Sequence, residues 1–180
     1  MNKKLLIPVA ISTVLLSACL PETPVSKFNP VATFQEIMVD IIDPNIDFVW
    51  NSVATVSTTS GVEERKPVTD EEWKIVRQHA LTVLEAGNLL LVENRPIAKP
   101  GASTSQTPVE LNPEDIQKAI DSHREDFTNR VHALQAAVQL SLAAIDTRNV
   151  EELEKAGGAI DQACEQCHIQ FWYPNDKRPK

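Results

Sequence analysis

Four helix starts punctuate this 180-residue chain, and their spacing limits the fold more than any other feature. Thr33 stands three residues before Glu36, and Thr69 three before Glu72. Each pair has the form of a capping box, in which hydroxyl and carboxylate satisfy two backbone donors of the first turn. Asn112 is followed by Pro113, an N-cap and a first-turn proline, and Asn149 precedes Glu152 in the same box spacing.

Behind each start runs an apolar seam with steps of three and four. The first helix carries Phe34, Ile37, Met38 and Ile41, and Pro44 either kinks it or begins a second section through Val53. The second places Trp73, Val76, Ala80, Val83, Gly87 and Leu90 in line and is expected to end near Arg95-Pro96. The third runs from Pro113 to about Asp146 through Ile116, Ile120, His123, Phe127, Val131, Leu134, Val138, Ser141 and Ile145. The fourth carries Leu153, Gly157, Ile160, Cys164, Cys167 and Phe171. Ser57 to Lys66 and Ile97 to Val109 read as loops, and no segment alternates with period two, so no strand is expected. The fold class is all-α, an antiparallel four-helix bundle. Gly157-Gly158 costs helix propensity and points to close approach of a neighbouring helix.

The last seam contains Cys164-Glu165-Gln166-Cys167-His168, the signature of covalent c-type haem attachment. Two thiols form thioethers with the haem vinyl groups, and the adjacent imidazole serves as proximal iron ligand. On a helix Cys164 and His168 are i and i+4 and share a face. A zinc site would need further ligands at a recognisable spacing, but Cys19, His79, His123 and His132 are scattered. A thioredoxin-type dithiol would need a βαβ context, which is absent. The cofactor expected is one haem c, carried on the C-terminal helix.

Residues 1–18 have a positive start at Lys3 and Lys4 and an apolar run from Leu5 to Leu16, the pattern of an export signal. The segment closes on Leu16-Ser17-Ala18-Cys19, which resembles a bacterial lipobox with Cys19 as the acylated residue. The alternative is an ordinary signal peptide cleaved nearby. Either route delivers the chain to the compartment where bacteria attach c-type haem. Leu20, in place of an Asp, points to the outer membrane, facing the periplasm. With Cys19 lipidated and Cys164 and Cys167 on haem, no cysteine remains for a disulfide. Residues 19–30 read as a tether, 31–174 as the bundle and 175–180 as a tail. No other stretch is apolar enough to span a bilayer, so the lipid is the expected membrane link.

Removal of residues 1–18 takes two lysines and no acid, moving the net charge from −8 to −10. An acidic body disfavours nucleic acid and permits steering toward a basic redox partner. No carboxylate belongs to a base–nucleophile arrangement, and no enzyme activity is expected.

A haem motif at the C-terminus of a helical bundle resembles the cytochrome c′ family, the class II cytochromes c. The likeness covers about residues 31–173. It includes Asp43-Pro44 to Trp50, Thr69 to Trp73, Glu85 to Leu90, and Phe171-Trp172-Tyr173-Pro174. The resemblance implies that a first-helix residue faces the distal side of the haem. An apolar residue there leaves iron five-coordinate and open to NO or CO; a methionine makes it six-coordinate, low-spin and suited to electron transfer. Met38 lies on that helix, so the resemblance implies Met38 as distal ligand, with core filler as the alternative. His123 is the rival axial ligand. The implied partners are periplasmic or membrane redox proteins, and the resemblance allows a homodimer through the first two helices.

Overall fold

A computed structural model describes residues 28–177; Cys19, the export signal and most of the tether lie outside the described residues. The chain is mostly helical, with one two-stranded sheet. The first helical run comprises α1 (Phe34–Glu36), a π-helical segment (Ile37–Ile42) and α2 (Asp43–Ser52). A hairpin follows, β1 (Ala54–Thr58) and β2 (Gly61–Arg65). Four helices complete the fold: α3 (Asp70–Leu90), α4 (Pro113–Ser122), α5 (Arg124–Asp146) and α6 (Val150–Phe171).

All four helix starts form as their caps dictate. The Thr33 and Thr69 boxes close reciprocally, and Asn112 and Asn149 accept from the amides of Asp115 and Glu152. α6 packs along α5, α5 along α3, and α3 along the first helical run. The Trp50 indole donates to the Gly157 carbonyl at 3.1 Å, tying that run to α6. A Cβ on Gly157 would lie 3.1 Å from Trp50, so this glycine does answer a close helix approach; Gly158 has open space around it.

The seams are buried as expected, with four corrections. The first run buries Phe34, Ile37, Ile42, Ile46, Val49 and Val53, so Ile42 replaces Ile41 in the core. A π turn absorbs the extra residue, and Pro44 opens the second section from its first turn.

α3 stops at Leu90 rather than near Arg95-Pro96. The buried Arg95 turns back to donate to the carbonyls of Leu89 and Ala32, taking an acceptor that the helix end leaves open.

The long third helix breaks at His123, whose φ of −133° and ψ of 45° leave the helical region. Ser122 and His123 are indifferent helix formers, while Glu125 and Asp126 suit the first turn of a new helix. Arg124 holds the break by donating to Leu91 O at 2.7 Å. His123 is therefore exposed, not a core residue.

The fourth correction is the hairpin, where a loop was expected. Both strands pair in antiparallel register, Val56 opposite Glu63. β2 is exposed throughout, and β1 alternates only between half-buried Ala54 and Val56 and exposed Thr55 and Ser57, too short and shallow a pattern to signal a strand.

Candidate functional site

The haem-motif residues sit on the last turns of α6, where the helix seam meets a pocket of about 310 Å³. Cys164, Cys167 and His168 all line it, as helical spacing requires. Opposing elements supply the remaining walls. Phe34 and Met38 come from the first helical run, Leu90 from α3, Ile116 and Ile120 from α4, and Phe127, Val131 and Leu134 from α5. Phe34, Phe127 and Phe171 stack edge to face, with centroids 5.6 and 5.4 Å apart, and lock three elements around the cavity.

The connection between α3 and α4, which has no apolar periodicity, closes another side. Its carbonyls at Pro96 and Ile97 accept from the amides of Phe34 and Gln35, each at 2.9 Å. These are first-turn donors that an α-helix leaves unpaired. Farther along, Thr104 O accepts from the Trp172 indole at 2.8 Å, and Leu111 N–H donates to Trp172 O at 2.7 Å. The loop thus straps the first helical run to the end of α6. Ile97, Ser103, Thr104 and Gln106 join the lining, as does Gln35. None carries a sequence pattern that identifies it as a pocket residue; only their contacts do.

Both cysteines are free. Burial, with Asp161 and Asp43 nearby, pushes the Cys164 thiol up to about 11. Burial, then neighbouring Cys164, pushes Cys167 up to about 12. This is the reverse of an activated redox dithiol, whose nucleophilic cysteine has a depressed pKa. The His168 pKa is lowered by burial, which keeps the imidazole neutral with a lone pair for a metal. Trp172 packs edge-on against its ring at 5.1 Å. Tyr173 donates to Glu165 Oε2 at 2.5 Å beside it.

A haem fits this donor set: two protonated thiols and a neutral imidazole on one helix face, with apolar walls. Among the described residues no three His, Cys, Asp or Glu side chains group to hold a bare metal ion. Arg130 lines the pocket but is held by Gln170 at 2.9 Å. It also acts electrostatically on Cys167. Lys99 is occupied with Glu36 at 2.5 Å, and Arg95 with backbone carbonyls.

The other histidines are elsewhere. His123 Nδ1 lies 3.1 Å from Ala119 O at the surface. His79 is half-buried, stacked on Phe48 and bonded to Asn45. Neither lines the pocket that holds His168.

Residues 101–172 match the family model described as Cytochrome C′, a span that includes α4, α5, α6 and the entire attachment motif. No curated protein matches the chain. Motif, pocket and match together make the chain a c-type haem cytochrome with one haem c, similar to cytochrome C′ over residues 101–172.

Proposed function

We propose that this protein is an exported electron carrier whose haem c is attached through Cys164 and Cys167 and ligated by His168 and Met38. The supporting observation is the position of Met38. It is the single methionine beyond residue 1, and it lines the same pocket as the two thiols and the imidazole while coming from a different element. We read the first helical run, α3, α5 and α6 as an antiparallel four-helix bundle with that pocket at one end.

Held by Cys164, Cys167, His168 and Met38, a haem c would supply a one-electron ferric/ferrous couple, and thioether ligation by Met38 would favour the reduced form. The chain's own task is to hold the group rigid, exclude water and keep His168 neutral. The apolar walls do the second, and burial of the imidazole does the third. In this reading the protein is a carrier and not an enzyme, its partners are periplasmic or membrane redox proteins, and Cys19 anchors it to the outer membrane.

Met38→Ala tests the ligation. The oxidised variant is expected to turn high-spin and the reduced variant to bind CO. An unchanged spectrum with no CO uptake would assign Met38 to packing. A wild type that is already high-spin and CO-reactive would favour a gas-binding cytochrome. For the anchor, Cys19→Ser should release the protein into the soluble periplasmic fraction; retention in membranes would contradict lipidation there.

A further inference from the structure

The first helical run buries Phe34, Ile37, Ile42, Ile46, Val49 and Val53. Its steps are three, five, four, three and four. A regular α-helix advances about 100° per residue, so a step of five sets Ile42 about 140° from Ile37. The two share the core only because the segment between them is a π turn. Such a turn takes up one extra residue without turning the preceding residues off their face. Were the helix regular with every residue kept, Met38, four residues before Ile42, would lie over the core seam. The wide turn displaces it by about 100°, one residue's rotation, toward the pocket it lines.

The backbone of this turn shows what sustains it. Asp43 N–H donates to Met38 O, a bond across five residues. Pro44 has no N–H, so the α-type bond from residue 44 to Asp40 O cannot form. Asn45 Nδ2 donates to Ile41 O at 2.6 Å. The other end of that amide, Oδ1, lies 2.7 Å from His79 Nδ1 on α3. An amide oxygen only accepts, so the His79 nitrogen is the protonated one. Phe48 stacks on the His79 ring, with centroids 3.8 Å apart. The turn is therefore braced from a neighbouring helix, at residues that do not line the pocket.

We propose that Asn45, held by His79 of α3, braces the π turn Ile37–Ile42 that takes up the extra residue of the first helical run, and so keeps Met38 turned toward the haem iron. Asn45 and His79 are positioning residues, acting on the ligand through the helix backbone. The proposal rests on the reading of Met38 as a ligand.

The test compares haem-loaded Met38→Ala, Asn45→Leu, a deletion of Asp40, and that deletion combined with Asn45→Leu. Asn45→Leu is expected to raise the CO-reactive fraction of the reduced protein roughly tenfold over wild type, the weight of one net hydrogen bond. Its methionine-to-iron charge-transfer band should weaken in parallel. Deleting Asp40 removes the extra residue and restores regular steps of three and four, so that variant should stay low-spin and CO-inert. The double variant should also be CO-inert, because a regular helix needs no brace. A CO-inert Asn45→Leu beside a CO-reactive Met38→Ala would overturn the proposal. So would a CO-reactive deletion variant with haem attached, which remains decisive if Asn45→Leu fails to fold. An unaltered Met38→Ala would instead sink the ligation itself.

Discussion

Gly157 and Gly158 adjoin in α6 but answer to different constraints. The first lets the Trp50 indole reach its carbonyl, and an added Cβ would meet the ring at 3.1 Å. The second meets nothing within 4 Å. Gly158→Ala should therefore raise stability by about 0.5–1 kcal/mol through helix propensity. Gly157→Val should lower it by about 1–3 kcal/mol by overpacking. Denaturant unfolding of the two variants checks both signs, and equal effects would contradict this division. At this scale the sequence was informative where chemistry is local. The haem motif states its own task, and its spacing alone puts three donors on one helix face. Gln35, Ser103 and Thr104 give no such signal, because a pocket wall made by a loop depends on where the chain returns.

Caps and seams made the helices legible, since both rest on neighbours three or four residues apart. The π turn, the break at His123 and the hairpin were less so. Two of these arise where tertiary packing overrides local pattern: the core claims Ile42 over Ile41, and Arg124 clamps the break onto Leu91. The hairpin carries no such signal because it buries little on either face. Val62 is 69% exposed, and the two strands pair only with each other. Replacing Ala54–Arg65 by a short flexible linker should leave haem attachment and the visible spectrum unchanged, since none of those residues lines the pocket. Loss of haem or a change of spin state in that variant would mean that the hairpin supports the site.

At the scale of the whole molecule, the pocket is a product of long-range assembly. The first helical run, the loop after α3, α4, α5 and α6 each contribute walls, and the Phe34–Phe127–Phe171 ladder joins three of them. In the proposed reading Cys164 and Cys167, both free of disulfides, are taken by the cofactor, leaving core and haem to hold the fold. No described helix is long and apolar enough to cross a membrane. The central claim concerns the face of the iron opposite His168. Its most direct test is the electronic spectrum of the purified haem-loaded protein, oxidised and then reduced under CO. His168/Met38 ligation predicts low-spin ferric bands, a methionine-to-iron charge-transfer feature and no CO adduct. High-spin ferric bands with ready CO binding would contradict it.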